Sequence, residues 1–357
     1  MRNLLRLTAL AIASALMLAS GAASADKLKV GFIYIGPPGD FGWTYAHDQG
    51  RLQIEKELGD RVETTYVENV PEGPDAERAI AKLAETGHQL IFTTSFGYME
   101  PTLKVAKRFP NVKFEHATGY QRADNVATYN AKFYEGRYVQ GVIAGKMSKT
   151  NTVGYIASFP IPEVIMGINS FLLGAHSVNP NIKVKIVWAY TWFDPPKEAD
   201  AAKVLMDQGA DIITQHTDST AALQAAAERG VMAFGQASDM IQFAPKTQLT
   251  SIIDAWGPYY VERTKAVLDG TWTSGDTWHG MSDGLVVMAP YTNMPADVAA
   301  LAAKTAEDIR TGKLHPFTGP IYNQAGELVL EAGKTADDGM LAGMMYYIQG
   351  IDDKVPN

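Results

Sequence analysis

Strand patterns and helix patterns alternate along most of this chain, and the alternation occurs twice in succession. Short apolar runs typical of buried strands begin at Leu28, and the segments between them carry apolar residues at helical spacing. Strands that alternate with helices pair in parallel through right-handed crossovers. The pattern therefore predicts an α/β fold with two doubly wound parallel sheets.

The predicted elements fall into two successive series and a closing part. The first series has strands at 28–35, 62–67, 89–94, 112–116 and 126–133, with helices at 75–86 and 101–108. The second has strands at 153–157, 183–190, 211–215 and 231–235, with helices at 162–177, 197–208 and 221–229. The closing part has strands at 249–253 and 284–289, with helices at 258–269 and 296–310.

The closing strand and helix pairs are expected to return and complete both sheets, so that several segments cross between two lobes. Several crossovers make a hinge, as in proteins that close around a ligand. The expected N-terminal lobe comprises residues 26–131 with 249–282, and the expected C-terminal lobe comprises 132–248 with 283–357.

Residues 1–25 show the three-part pattern of a secretory signal peptide. Arg2 and Arg6 precede an apolar stretch at 7–19 that is too short to span a bilayer, and Ala23-Ser24-Ala25 is typical of a cleavage site. The chain has no Cys, which excludes a lipobox, disulfide bonds and zinc sites with Cys ligands. We expect a soluble protein exported to a bacterial periplasm.

Charge argues against a nucleic-acid partner. Without the two arginines of residues 1–25, 29 basic residues face 39 acidic ones, spread along the chain. This balance favours solubility and disfavours binding to phosphate backbones. No feature of the sequence points to an oligomer, so we expect a monomer.

The loop from Gly36 to Tyr45 has the position and composition of a ligand-binding loop. It follows the first predicted strand and precedes a helix, which is where open α/β sheets bind ligands. Phe41, Trp43 and Tyr45 place large aromatic rings in a loop that water can reach, an arrangement that is costly without a partner. We infer a flat, partly apolar small molecule as the ligand.

Other candidate contacts lie near the ends of predicted strands. The further candidates for stacking are Phe96 or Tyr98, Phe159, Trp192 and Trp256. The candidates for reading the polar edge of the ligand are Asp40, Tyr45, His216, Asp218, Asp239 and Asp254. Each has a structural alternative, because aromatic residues more often fill cores and an Asp before a helix more often caps it.

Catalytic and cofactor motifs are largely absent. Residues 141–147 lack the spacing and the hydroxyl residue of a phosphate-binding loop, and the seven His show no metal-binding spacing. Asp239 and Asp254 could serve a glycosidase, although nothing in the sequence fixes their separation. We therefore expect no cofactor and no metal, and two functions stay open: a non-catalytic solute receptor and a periplasmic nucleoside hydrolase.

Several motifs together resemble the basic membrane protein family, the substrate-binding proteins of a class of ABC importers. They are Val30-Gly31-Phe32, Asp40-Phe41-Gly42-Trp43, residues 149–156, Gly209-Ala210-Asp211-Ile212-Ile213 and Gly235-Gln236-Ala237-Ser238-Asp239. The resemblance covers about residues 27–328. It implies the type I periplasmic binding fold, a purine-like ligand, and delivery of that ligand to an ABC permease in the inner membrane.

The departures from the family pattern narrow the expected ligand. Members that bind nucleosides have Asp-Lys-Ser-Phe-Asn at residues 40–44, so Trp43 takes the stacking position here and Thr44 replaces an amide. Ala237 stands where an Asp accepts ribose hydroxyls, and Asp254 where a Lys often reaches the sugar. Since such paired hydrogen bonds give polar specificity, we predict an adenine-like purine base, with a purine nucleoside as the alternative.

Overall fold

The computed structural model describes residues 26–356. The predicted signal peptide, residues 1–25, lies outside the described residues. The described chain forms two six-stranded sheets and one two-stranded hairpin, which confirms the prediction of two doubly wound lobes. Within residues 26–356, no helix has both the length and the apolar character needed to cross a membrane.

The first lobe opens with five strands and three helices. In chain order these are β1 (Leu28–Ile33), α1 (Trp43–Leu58), β2 (Val62–Val67), α2 (Pro74–Glu85), β3 (Leu90–Thr93), α3 (Met99–Arg108), β4 (Lys113–Ala117) and β5 (Val126–Ala131). The second lobe follows with α4 (Phe133–Met147), β6 (Thr152–Ala157), α5 (Pro162–His176), β7 (Lys183–Trp188), α6 (Pro195–Asp207), β8 (Ile212–Gln215), α7 (Ala221–Glu228), β9 (Met232–Gly235) and β10 (Gln248–Asp254). The chain ends with α8 (Gly257–Leu268), β11 (Asp276–His279), β12 (Val286–Met288), α9 (Ala296–Arg310), β13 (Ile321–Tyr322), β14 (Leu328–Leu330) and α10 (Asp338–Ala342).

Both sheets are built mainly from parallel strands. The first has the order β11-β5-β4-β3-β1-β2 and is parallel throughout. The second has the order β12-β10-β9-β8-β6-β7, with only the edge strand β12 antiparallel. Since parallel strands end at the same edge of a sheet, the loops that follow them converge on one face of each lobe.

Strand β1 shows why these runs are apolar on both faces. Phe32 packs with Ile54 of α1 and Tyr260 of α8 on one side of the sheet. Its neighbour Ile33 points to the other side and packs with Ile80 of α2. A strand covered by helices on both faces needs apolar residues at every position, which is the pattern of parallel sheets.

Three segments cross between the lobes, at residues 131–133, 255–256 and 280–285. The closing elements complete both sheets as expected, since β11 joins the first sheet and β12 the second. The expected N-terminal lobe included the strand that begins at residue 249. In the structure this strand, β10, belongs to the second lobe instead, because it pairs with β9 and β12 of the second sheet. The apolar pattern of β10 suits either sheet, so the sequence does not show which one it joins.

The C-terminal tail, residues 314–356, packs on the second lobe. Asn169 of α5 donates to the backbone oxygen of Tyr346 at 2.8 Å and accepts from the amide of Ile348 at 3.1 Å. The elements β11, β13, β14 and α10 were not predicted. They have two to five residues each, too few for hydrophobic periodicity to be recognised.

Candidate functional site

A cavity lies between the lobes at the carboxyl ends of both sheets. It contains about 350 Å³ of space free of protein atoms, part of which is open solvent. The lining residues are Ile35, Trp43, Ser95, Phe96 and Thr118 from the first lobe, and Glu163, Trp192, His216, Asp218 and Gln236 from the second. The cavity therefore lies where open α/β sheets bind ligands.

Trp43 is the first residue of α1, and its indole lines the cavity. The indole Nε1 donates to the backbone oxygen of Thr94 at 2.6 Å. The ring packs edge-on against His47 and Trp256, with centroids 4.3 and 5.6 Å apart. These contacts fix the indole plane while part of the ring stays accessible from the cavity. That this ring stacks on the ligand stays a prediction.

Asp40 holds the start of helix α1 in place. Its carboxylate accepts hydrogen bonds from the backbone amides of Gly42, Thr44 and Tyr45 at 2.8, 3.0 and 2.9 Å. Burial raises the pKa of Asp40 to about 6, although these three donors oppose the shift. Asp40 thus caps the helix that carries Trp43, and it does not line the cavity.

Glu72 braces the loop that carries Phe96. Its carboxylate accepts from the hydroxyl of Ser95 at 2.6 Å and from the amide of Gly97 at 2.9 Å. Phe96 is half-buried and lines the cavity with Thr118, which follows β4. A half-buried carboxylate that accepts several hydrogen bonds holds such a loop in one conformation, so the aromatic wall is preorganised.

In the second lobe, the loop after β8 is also held in place by side-chain hydrogen bonds. The amide of Gln215 donates to two backbone oxygens of this loop at 2.9 and 2.7 Å. The buried Glu198 of α6 accepts from the amide and the hydroxyl of Ser219 at 3.0 and 2.7 Å. These hydrogen bonds fix a short segment from which His216 and Asp218 reach the cavity.

Asp218 is a buried carboxyl group that faces the cavity. Its side chain is 4% exposed, and no described residue donates a hydrogen bond to it. Burial raises its pKa well above the usual range, and the nearby carboxylates of Asp40 and Glu198 raise it further. Burial therefore shifts this group toward the protonated form, which both donates and accepts hydrogen bonds.

His216 and Glu163 form the polar corner of the cavity. The imidazole Nε2 lies 3.4 Å from Oε1 of Glu163. Burial lowers the pKa of His216, which favours the neutral ring. His216 Nδ1 and Glu163 Oε2 are buried and have no partner among the described residues. Polar atoms of this kind are satisfied when a ligand with donors and acceptors enters.

A buried guanidinium group fixes the orientation of the Gln236 side chain. Arg137 of α4 is fully buried and donates to the side-chain oxygens of Gln236 and of Gln140, the latter at 3.1 Å. Because the oxygen of Gln236 is engaged, its amide nitrogen is the group left for a ligand.

Tyr98 and Asp239 were predicted as ligand contacts, and the structure places both away from the cavity. Tyr98 is fully buried in the first lobe, where its hydroxyl donates to the backbone oxygen of Val70. Asp239 accepts from the amide of Ile241 at 3.1 Å and from the side chain of Gln248 at 2.7 Å. Neither lines the cavity, because one fills a core and the other stabilises a short 3-10 turn.

Asp254 and Trp256 also lie outside the cavity wall. Both are within three residues of the crossover from β10 to α8, and they are only 3% and 1% exposed. The indole of Trp256 stacks on His47 with centroids 4.8 Å apart. The prediction that both residues lie at the end of a strand was correct. However, this strand leads directly into the hinge and not into the cavity wall.

Phe41, Tyr45 and Phe159 support the cavity from outside its wall. The ring of Phe41 stacks on Tyr45 at 5.2 Å and packs edge-on against Phe243 of the second lobe at 4.8 Å. Phe159 packs against Trp192 with centroids 5.0 Å apart. These rings limit how the lining residues move, and direct contact with a ligand stays a prediction for them.

Five lining residues were not predicted from the sequence: Ile35, Ser95, Thr118, Glu163 and Gln236. Four of them lie one or two residues beyond β1, β3, β4 and β9, and Glu163 lies in the first turn of α5. Their position after a strand was an available signal. Their residue types gave no signal of a binding role, because Ile, Ser and Thr are common in any loop or strand.

The lobes touch each other around the cavity, so this is a closed form. A Cβ atom at Gly42 would lie 2.0 Å from the backbone oxygen of Asp218 in the opposite lobe. The indole Nε1 of Trp192 donates across the cleft to Glu72 at 3.2 Å. Gly42 is thus required by the close approach of two loops.

Comparison with known proteins identifies the family. A family model described as "ABC transporter substrate-binding protein PnrA-like", named Bmp, matches residues 27–313. The chain belongs to the Bmp family of ABC transporter substrate-binding proteins. The resemblance seen in the sequence motifs is thereby confirmed. The description of the family states that its members are substrate-binding proteins of ABC transporters.

Two relatives of this Bmp protein carry different ligands in their names. It is 65% identical over 347 residues to a "Purine-binding protein" of Brucella abortus, covering 97% of this chain and 99% of the relative. It is 36% identical over 338 residues to the "Putative ABC transporter glucose-binding protein TsgA13" of Haloferax volcanii, covering 94% and 83% of the two chains.

The fold also matches solved structures. An ABC transporter solute-binding protein from Aeropyrum pernix K1 superposes with a TM-score of 0.69 at 20% identity, over 81% of this chain and 92% of that one. A solute-binding protein from Conexibacter woesei superposes with a TM-score of 0.63 at 21% identity, over 81% and 98%. At these identities the likeness establishes the two-lobed fold.

Proposed function

We propose that this Bmp protein is a periplasmic receptor that binds an adenine-like purine base between its lobes and delivers it to an ABC permease. The observation that carries the proposal is a cavity between the closed lobes with aromatic walls and unpaired polar groups. Trp43, Phe96 and Trp192 line it together with Asp218 and His216. The name of the Brucella relative, at 65% identity, supports a purine.

Aromatic walls suit a planar heterocycle better than a sugar. Stacking of a nucleobase on an aromatic side chain contributes about 1–3 kcal/mol. A pyranose is not planar, and its many hydroxyl groups each need a polar partner when they are buried. The cavity holds only a few unpaired polar groups against three large rings, which supports the purine rather than the glucose named for the Haloferax relative.

The protonation state of Asp218 favours adenine among the purines. A protonated carboxyl group donates to a ring nitrogen of adenine and accepts from the adjacent exocyclic amine. Guanine presents two adjacent donors on its Watson–Crick edge, and these suit an ionised carboxylate instead. Burial raises the pKa of Asp218, which shifts the group toward the acid form that suits adenine.

The surroundings of the expected sugar position support a free base. Ala237 is fully buried and carries no acceptor for a ribose hydroxyl. The carboxyl oxygens of Asp254 are both buried and have no partner among the described residues, and this group does not line the cavity. A ribose at this end of the site would therefore lack the contacts on which nucleoside specificity depends.

Calorimetry on the purified protein tests the proposal directly. We expect adenine to bind more tightly than hypoxanthine, guanine, adenosine and glucose. Tighter binding of adenosine would assign the nucleoside as the ligand, and tighter binding of glucose would remove the purine assignment. Mass spectrometry of whatever co-purifies with the protein gives an independent answer from the expressing cell.

A second measurement separates a receptor from a nucleoside hydrolase. The protein is incubated with a hundredfold excess of adenosine or inosine, and free base is quantified over time. A receptor releases no base, whereas an enzyme forms product over many turnovers. Multiple turnovers would overturn the receptor assignment, because no step of capture and release breaks a glycosidic bond.

A further inference from the structure

A second cavity adjoins the proposed base site. It holds about 740 Å³ of empty space, part of it open to solvent, and shares Phe96, Thr118 and Glu163 with the first cavity. These three residues are therefore the boundary between the two spaces. We call the second space the side chamber, and define it by the apolar residues Tyr120, Ile161, Met166, Trp278, Leu341 and Ala342.

Two polar side chains at the wall of the side chamber are engaged with other groups, whereas Oε2 of the shared Glu163 has no partner among the described residues. Asp276 pairs with Arg122 at 2.9 Å and accepts from the hydroxyl of Thr128 at 2.7 Å. The side-chain oxygen of Asn130 accepts from a backbone amide at 2.7 Å. A ribose in this space would find the free oxygen of Glu163 as an acceptor for its hydroxyls, whereas a hydrocarbon group would be buried against aromatic and aliphatic side chains.

An exposed aromatic residue lies at the mouth of the side chamber. Tyr120 is 67% exposed, and its ring lies 6.5 Å from that of Phe96. A large ring with that much exposed surface at the rim of a cavity is typical of a binding surface rather than of a core. Its position extends the aromatic wall of the base site outward into the side chamber.

The C-terminal tail closes one side of the chamber. Leu341 and Ala342 belong to α10, which lies beyond residues 27–313, the range matched by the family model. An ion pair of 3.1 Å between Lys132 and Asp338 attaches α10 to the crossover that precedes α4. The chamber is thus built partly by a segment outside the matched family domain.

We propose that the side chamber receives an apolar substituent on the bound purine, so that the ligands of this protein include adenines with a hydrocarbon arm. The inference rests on the proposed function, because the purine ring must first occupy the adjoining cavity. The shared residues Phe96 and Thr118 mark the end of the base from which the arm enters the chamber.

Calorimetry with matched ligands tests the inference. The ligands are adenine, N6-benzyladenine, 9-benzyladenine and adenosine. We expect at least one benzyl compound to bind tenfold or more tightly than adenine, since burial of a benzyl group from water is strongly favourable. The comparison of the N6 and N9 compounds identifies which edge of the base faces the chamber.

Two variants locate the substituent. Ala342→Trp fills the chamber from an exposed position, and Tyr120→Ala removes the ring at its mouth. Both are expected to weaken binding of the benzyl compound about tenfold while changing adenine affinity less than twofold. Ala300→Trp is the matched control, because Ala300 is an exposed helical alanine outside the chamber, and it should alter neither affinity.

The outcomes separate this inference from the proposed function. If adenine binds and both benzyl compounds bind more weakly, the side chamber is not a substituent site and the base receptor stands. If Ala342→Trp weakens adenine and the benzyl compound equally, the inference also fails. If adenosine binds most tightly and is the ligand that Ala342→Trp weakens, the chamber holds a ribose. If no purine binds, the proposed function itself is overturned.

Discussion

At the scale of single residues, the indole of Trp43 is the group on which ligand affinity is expected to depend most. It is fixed by Thr94 and by two aromatic neighbours, but one part of it borders the cavity. We expect Trp43→Ala to weaken adenine binding by one to two decades, about the free energy of one stacking contact. Calorimetry measures the loss.

Trp43→Phe is the matched control for this variant, because it keeps an aromatic face and removes the hydrogen bond to Thr94. It should retain more affinity than the alanine variant. A large fall in melting temperature with unchanged adenine affinity in Trp43→Ala would show instead that the indole acts as a core residue.

Asp218 should make adenine binding depend on pH. Its pKa is raised by burial in the closed form, so the proton is held more tightly in the closed form than in water. Protonation therefore stabilises the closed complex at low pH, and this stabilisation is lost as the pH rises through the raised pKa. We expect affinity to fall as the pH rises from the pKa of Asp218 in the open protein to its raised pKa in the closed form, by at most about tenfold per pH unit.

Asp218→Asn should remove most of this pH dependence while keeping affinity, since an amide also donates and accepts. Asp239→Asn is the control, because Asp239 stabilises a turn away from the cavity, and it should keep the wild-type profile. The measurement is the adenine affinity of the unchanged protein and both variants from pH 5 to 9. A flat profile for the unchanged protein would contradict the protonated-acid model.

The sequence could show which residue types stack or form hydrogen bonds, but not which way each side chain points. Trp43, Trp192 and Asp218 were predicted and line the cavity. Tyr98 and Asp239 satisfied the same criteria and point into a core or a turn. The difference is set by strand register and loop geometry, which depend on tertiary packing rather than on the local sequence.

At the scale of elements, closure depends on the loop before α1 passing close to the loop after β8. Gly42→Ala would place a Cβ atom 2.0 Å from a backbone oxygen of the opposite lobe. Because that contact exists only when the lobes are closed, we expect adenine binding to fall by at least tenfold with little change in the stability of the open protein. Gly39→Ala is the control, since nothing lies within 4 Å of a Cβ atom there.

The variants Gly42→Ala and Gly39→Ala are compared by calorimetry and by thermal unfolding in the absence of ligand. Both variants should melt close to the unchanged protein, and only Gly42→Ala should lose affinity. Equal affinity in the two variants would mean that ligand binding does not require the two loops to meet in this way.

Most elements could be predicted because helices carry apolar residues at helical spacing, whereas buried parallel strands are short, continuous apolar runs. Strand β11 could not, since its four residues, Asp276–His279, lie at a sheet edge and none is fully buried. Strand β10 was recognised but assigned to the wrong sheet. Which sheet a strand joins depends on contacts between distant segments, and these leave no periodic signal.

At the scale of the whole molecule, one of the three hydrophobic clusters among the described residues extends across both lobes. The same cluster contains Phe32 and Tyr260 of the first lobe and Phe171 and Leu249 of the second, connected through Phe133 at a crossover. A shared core and three crossovers make independent unfolding of either lobe unfavourable. The molecule should therefore unfold as one unit even though it moves as two.

A ligand held between the lobes should stabilise that whole unit. Adenine at a hundred times its dissociation constant adds about 2.7 kcal/mol to the free energy of unfolding, and we expect the melting temperature to rise by a few degrees. Calorimetric unfolding and far-UV circular dichroism should show one transition that shifts as a whole. Two transitions, of which adenine shifts only one, would place the ligand within a single lobe, because binding to both lobes stabilises both against unfolding.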